Sequence, residues 1–185
     1  MPNHCSNLWE VKGDDTDALI AFKEQAQGAT EDFDINRFIP MPEELEHKNL
    51  QYPDPDPELT AAMVKKYGSD SNYNWAVDNW GTKWGAFRCD RRIGDDSITY
   101  EFKTAWGPFT ESVMKTISAA FPTLTFTISY AEIGFDFWAI WEAQGGELRF
   151  INGGSLDSEW DEETETSSYP DHIPDSICAL AETSG

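Results

Sequence analysis

The prediction of the fold starts from the segment Ser97-Ile98-Thr99-Tyr100-Glu101-Phe102-Lys103-Thr104-Ala105-Trp106. Apolar residues stand at its even positions from Ile98 to Phe102, and polar residues stand between them. This period of two predicts a strand with one buried face. Gly94-Asp95-Asp96 comes just before it and is typical of a turn, so Ala86–Arg92 is predicted as the partner strand of a hairpin.

Similar patterns on both sides of this hairpin complete the fold. The sequence predicts further strands at Cys5–Gly13, Leu124–Ala131, Phe135–Ala143 and Glu147–Ile151, and helices at Asp15–Gln27 and from Pro108 to Phe121. The order β-α-(insertion)-β-β-α-β, followed by an added C-terminal hairpin, is the ferredoxin-like split βαβ arrangement. We therefore predict an α+β protein with one antiparallel sheet and helices on one of its faces.

The chain divides by composition into a domain, an insertion and a tail. The ferredoxin-like domain is predicted to span residues 1–151, with a helical insertion at 29–85. The insertion contains a proline-stiffened loop at Tyr52–Pro57 and predicted helices at Glu58–Tyr67 and Asn72–Trp80. Residues 152–185 form an acidic tail without lysine or arginine. We expect this tail to be mobile unless Trp160, Tyr169 or Ile177 pins it to the domain.

Charge limits the classes of partner. The 185 residues include 34 Asp and Glu against 13 Lys and Arg, giving a formal net charge of −21. Such a surface repels phosphate, so direct nucleic-acid binding is not expected. It attracts basic proteins, although solubility or a halophilic source also explains the charge. The candidate acidic contacts to a partner are Asp157, Glu159, Asp161, Glu162, Glu163 and Glu165.

The cysteines and the N-terminus indicate a compartment. Cys5, Cys89 and Cys178 are widely spaced and form no CxxC pair, and the three histidines complete no zinc pattern. Met1–His4 lacks the basic and apolar parts of a signal peptide, and no apolar run reaches the roughly 18–20 residues of a membrane span. We expect a reduced, cytoplasmic protein that needs no metal or cofactor.

No catalytic group stands out. His4 and Cys5 are adjacent on a strand and so point to opposite faces, which favours a buried structural cysteine over a nucleophile. Paired carboxylates among Asp90, Glu101, Glu132 and Asp136 could serve acid–base chemistry or a metal, but neighbours arise by chance in so acidic a chain. We assign no catalytic residue and favour a protein without enzymatic activity.

The segment Asn79-Trp80-Gly81-Thr82-Lys83-Trp84 is the strongest candidate site. Gly81 permits a positive φ, while Asn79 and Thr82 can bond to nearby backbone in a turn. Lys83 can stack on a tryptophan or bind a carboxylate. Two interpretations stay open: a structural clasp that ties the insertion to the sheet edge, or a ligand site. Trp106, at the end of a strand, is a candidate to join it.

Several ordered blocks resemble a known family. Met1–Asn7, Phe38–Pro42, Asn79–Trp84, Thr104–Pro108 and Ser129–Glu132 together resemble the Api92/YubB-like proteins of phages and plasmids. His4 stands where that family usually has tryptophan, and a second small or proline residue is missing near Phe109. The resemblance implies a ferredoxin-like domain and a mobile-element origin. It implies no reaction and no catalytic residues.

Two functions follow as hypotheses. In the first, an acidic phage- or plasmid-encoded accessory protein binds a basic host protein in the bacterial cytoplasm, as an anti-defence inhibitor that acts by charge complementarity or DNA mimicry. In the second, a small-ligand-binding protein or small enzyme uses a site around Trp80, Lys83, Trp84 and Trp106. A base-stacking nucleic-acid binder is a third hypothesis, which the net charge disfavours.

Overall fold

The computed structural model describes residues 3–49, 56–161 and 166–183. Its strands are β1 His4–Lys12, β2 Phe87–Ile93, β3 Ser97–Ala105, β4 Thr125–Glu132, β5 Phe137–Gln144, β6 Glu147–Gly154, β7 Glu159–Asp161 and β8 Thr166–Ser168. Its helices are α1 Thr16–Ala26, α2 Glu43–Glu46, α3 Pro57–Tyr67, α4 Asn72–Trp80, α5 Glu111–Ala120 and α6 Asp175–Glu182, with a 3-10 turn at Ile35–Arg37. No helix in the described ranges is long and apolar enough to cross a membrane.

Six strands form one antiparallel sheet in the order β2-β3-β1-β4-β5-β6. The first four, together with α1 and α5, have the ferredoxin-like connectivity, in which the two halves of the fold interleave at β1 and β3. The hairpin of β5 and β6 extends the sheet beyond β4. The predicted α+β class and ferredoxin-like arrangement are therefore confirmed.

Aromatic rings fill the space between the first face of the sheet and the helices. Trp9 on β1 is fully buried, with ring centroids 5.3 Å from Phe33, 5.9 Å from Phe102 and 6.2 Å from Phe109. Phe33 belongs to the insertion, so the insertion contributes to the same core as the sheet. Large buried aromatic side chains dominate the energetics of such a core.

Helix α6, which lies within the segment predicted as an acidic tail, covers the second face of the sheet. Ile177 and Leu180 of α6 are buried in a second apolar cluster with Trp138 of β5. Lys103 of β3 donates to the Thr183 carbonyl oxygen at the end of α6 and to Ser6 Oγ (2.7 Å). Ile177, one of the three residues named as candidates to pin the tail, thus holds this part of it on the domain, because the apolar stripe of α6 completes a core on the far side of the sheet.

Two predicted boundaries are also wrong. Helix α5 does not begin at Pro108, because Thr110 has an extended backbone and its hydroxyl accepts the Val113 N–H (3.4 Å), which makes Thr110 the N-cap. Strand β5 begins at Phe137 rather than Phe135. Phe135 lies in the preceding turn with 62% of its surface exposed.

Replacing Ile177 with alanine tests the docking of α6. Because the side chain is fully buried, we expect Ile177→Ala to lower the free energy of unfolding by about 2–5 kcal/mol in urea titrations. Ser176→Ala, on the exposed side of the same helix, is the control and should change it by less than about 0.5 kcal/mol. Equal small effects of both substitutions would mean that α6 is not packed on the sheet.

Candidate functional site

The C-terminal end of α4 is held by a set of local hydrogen bonds. Gly81 adopts φ +83°, and its N–H bonds to the Val77 carbonyl (3.0 Å). Asn79 Nδ2 donates to the Trp75 carbonyl (2.9 Å), and the buried Thr82 hydroxyl donates to the Trp84 carbonyl (2.5 Å). The left-handed glycine ends the helix as a C-cap and turns the chain toward Lys83 and Trp84.

Residues Asn79–Thr82 also fasten α4 to two other parts of the chain, and we call this segment the clasp. Trp80 Nε1 donates to the Ile39 carbonyl (2.9 Å), while the Trp80 carbonyl accepts the Thr110 N–H (3.1 Å). A Cβ built on Gly81 would stand 2.5 Å from Thr110 Cγ2. The clasp therefore anchors the insertion at the start of α5 rather than at the sheet edge, and only glycine fits there.

A cleft of about 850 Å³ lies between the clasp, the loop after α1 and the segment around α2. Its volume is in the range typical of small-molecule sites. Aromatic side chains from three parts of the insertion contribute to its walls: Phe33, Tyr73, Trp80 and Trp84. Its polar lining residues are Thr30, Glu31, Asp34, Asn36, Glu46, Asn49, Asn72 and Lys83.

Lys83 faces this cleft between two aromatic rings. Its Nζ lies 5.1 Å from the centroid of the Trp84 ring and 5.8 Å from that of Tyr73, both within cation–π range. Among the residues that the structure describes, no carboxylate oxygen lies within 4.0 Å of this nitrogen. Lys83 as a residue is half-buried, and within the described part of the chain it forms no ion pair with an acidic neighbour.

Trp106 supports the cleft without lining it. Its ring packs edge-on against Tyr73, with centroids 6.2 Å apart, and its backbone adopts φ +67°, which is rare for a non-glycine residue. On the other side of the site, Trp84 packs against Phe87 at 6.2 Å. The two rings beside Lys83, those of Tyr73 and Trp84, are thus each supported by a further aromatic ring.

Acidic and amide groups form the opposite wall. Glu31 Oε2 accepts the Cys89 N–H (2.8 Å), which the β-bulge in β2 leaves out of the strand ladder. Asp34 Oδ1 accepts the Asn36 N–H (2.9 Å). These bonds hold the carboxylates of Glu31 and Asp34 in place, and each bond uses one of the two carboxylate oxygens.

Sequence reasoning found one wall of the cleft and missed the other. Trp80, Lys83 and Trp84 line it, whereas Asn79 and Thr82 serve the clasp and Trp106 supports it from behind. The missed lining residues come from the connector 28–49 and from the first turn of α4. Their spacing follows no helix or strand period, so only the folded insertion brings them together.

The predicted acidic contacts lie elsewhere. Asp157 and Glu159 are exposed, and the Asp157 N–H is held by Asp136 Oδ1 (3.0 Å). Asp161 ends strand β7. Glu162, Glu163 and Glu165 lie outside the described residues.

The other candidate groups have structural roles. Burial raises the pKa of the Cys5 thiol well above its usual range, and it raises the pKa of Cys89 to about 12, so neither is poised as a thiolate. Asp90 and Glu101 do face each other across the hairpin, and Arg92 binds Glu101 (3.2 Å). Glu132 is buried and accepts the backbone N–H groups of the β4–β5 turn. Within the described residues, no three acidic, histidine or cysteine side chains cluster as metal ligands.

The fold and the site define an α+β protein with a ferredoxin-like sheet and a cleft-forming insertion. Residues 79–169 match the family model described as the ferredoxin-like domain in Api92-like protein. The crystal structure of a protein Api92 from Yersinia pseudotuberculosis superposes with a TM-score of 0.50 at 10% identity, over 84% of this chain and 98% of that one. At this identity the likeness shows the fold alone. No curated protein matches the chain.

Two glycines that cap helices provide a matched test of the clasp. Gly81→Ala and Gly68→Ala both force alanine into a positive φ, which costs about 1–2 kcal/mol, but nothing lies within 4 Å of a Cβ at Gly68. The clash with Thr110 should cost a further 1–3 kcal/mol or so at Gly81. Urea unfolding should therefore rank Gly81→Ala as clearly more destabilising. If the two variants unfold alike, the contact between the clasp and α5 is absent in solution.

Proposed function

We propose that this protein binds a small ligand in the cleft of its insertion and performs no chemistry on it. The observation that carries the proposal is Lys83, a half-buried lysine whose ammonium group lies between the rings of Trp84 and Tyr73 at the cleft, with no acidic partner among the described residues. A protein with 34 acidic residues offers many partners to a lysine. A lysine that faces a cavity instead supports the binding of an anionic group there.

The remaining geometry is compatible with this function. Aromatic walls accept a planar ring, and the polar groups of the opposite wall can orient it. The clasp and the contact with α5 hold the walls before a ligand arrives, which lowers the entropy cost of binding. Among the described residues that line the cleft there is no cysteine that could act as a sulfur nucleophile.

Thermal unfolding in the presence of a metabolite library tests ligand binding. A ligand at about 100 times its Kd stabilises the folded protein by about 2.7 kcal/mol, which corresponds to a rise in Tm of about 5–11 °C for a chain of this size. Lys83→Met and Trp84→Ala should abolish the rise. Lys65→Met removes the same charge from the exposed face of α3 and should preserve it. A library without any stabilising compound, together with a bare apo mass in native mass spectrometry, would contradict the proposal.

A second candidate function is binding of a basic host protein through the β7–β8 hairpin. Trp160 on β7 is 63% exposed and follows the exposed acidic residue Glu159. Exposed tryptophans are frequent anchors of protein interfaces, and neighbouring carboxylates would steer a cationic partner toward them. We include in this hypothesis a phage or plasmid origin, action in the bacterial cytoplasm and inhibition of a host defence protein by charge complementarity or DNA mimicry.

Pull-downs from bacterial lysate at low and high salt test this second function. We expect a stoichiometric complex that weakens as salt rises, and that is lost in Trp160→Ala and in the double reversal Asp157→Lys with Glu159→Lys. The double reversal Glu24→Lys with Glu147→Lys changes the net charge equally at other exposed sites and should preserve the complex. Capture that all three variants retain would show that the hairpin is not the interface.

A further inference from the structure

We propose that the ligand is dipolar: a planar aromatic compound that carries both an ammonium group and a carboxylate, as aromatic amino acids do. This inference rests on the proposed ligand-binding function and adds the chemical class. It follows from the charges that line the cleft. Among the described residues that line the cleft, Lys83 is the one basic residue, and Glu31, Asp34 and Glu46 are the three acidic ones.

These opposite charges do not neutralise one another. Within the described residues, the ion pairs use other acidic side chains, namely Glu10, Asp32, Glu44, Glu101, Glu111 and Glu142. Glu46 makes no side-chain hydrogen bond with the described part of the chain. Glu31 and Asp34 each engage one oxygen with a backbone N–H. The cleft therefore presents a cation and three anions that stand more than 4.0 Å from that cation.

This charge pattern discriminates between ligand classes. A ligand with only negative charge satisfies Lys83 but is repelled by three carboxylates, and a ligand with only positive charge meets the reverse conflict at Lys83. A dipolar ligand satisfies both walls when its carboxylate points toward Lys83 and its ammonium toward Glu31, Asp34 or Glu46. The rings of Tyr73 and Trp84 beside Lys83 place the planar part next to the carboxylate end.

Four indole compounds separate these cases, because they share one ring and differ in charge. The probes are indole (neutral), indole-3-propionate (anionic), tryptamine (cationic) and tryptophan (dipolar), titrated calorimetrically into the full-length protein. We expect tryptophan to bind at least tenfold more tightly than each of the other three. A single-charge or neutral probe that binds as tightly as tryptophan overturns the dipolar class while leaving ligand binding intact.

Variants assign each charge of the ligand to a wall. Lys83→Met should reduce the ratio of the affinities for tryptophan and tryptamine from at least ten to about one. The double variant Glu31→Gln with Glu46→Gln should reduce the ratio of the affinities for tryptophan and indole-3-propionate. Lys65→Met is the control and should leave both ratios unchanged. If Lys83→Met retains the tenfold ratio, Lys83 does not receive the carboxylate and the inference fails.

The metabolite library tests the inference if none of the four indole probes binds. If none of the indoles binds but the library yields a stabilising compound, that compound should carry both charges, and one that lacks either charge overturns the inference. If neither the indoles nor the library gives binding, the inference and the proposed function fail together.

Discussion

The contact between the end of α4 and the start of α5 holds the cleft in its shape. The Thr110 N–H is the first backbone donor at the α5 N-terminus, and it bonds to the Trp80 carbonyl across a chain separation of 30 residues. At the same point Gly81 packs against Thr110 with no room for a side chain. This contact fixes where the insertion returns to the ferredoxin-like core. It thereby fixes the positions of Lys83 and Trp84 against the connector that follows α1.

The sheet could be predicted because the alternation of apolar and polar residues within a strand indicates its buried face without knowledge of the rest of the fold. In β3 the alternation from Ile98 to Phe102 survives in the fold, since one face meets the aromatic core and the other meets solvent or α6. Gly81 was recognised for its backbone freedom, and it does adopt a positive φ. The sequence indicated Ile177 as a candidate anchor of the tail but did not predict helix α6, because the composition of this helix resembles that of the acidic tail around it. Its apolar stripe is short and is buried only because it packs on the second face of the sheet. The stripe consists of Ile177, Leu180 and Ala181.

The cleft was half predictable for a related reason. Trp80, Lys83 and Trp84 are close in sequence, so their joint role could be proposed from one segment. The opposite wall includes Glu31, Asp34 and Glu46, which are distant in sequence from Lys83. They come near it only because the clasp and the burial of Phe33 in the core fold the insertion back on itself. A chain of net charge −21 suggests a protein that meets cationic partners at its surface. Lys83 indicates a second kind of site, because it is the one basic residue among the described residues that line the cleft.

Hydrogen exchange measured by NMR can show whether the clasp holds the insertion on the ferredoxin-like core. If the clasp holds the insertion onto the core, the Thr110 amide and the Trp80 indole N–H exchange as slowly as the amides of β1, because all of them open only in global unfolding. Exchange of these two groups as fast as that of the α3 amides, in a helix that buries no residue, would contradict the account. The cleft would then lack the fixed walls on which its proposed function rests.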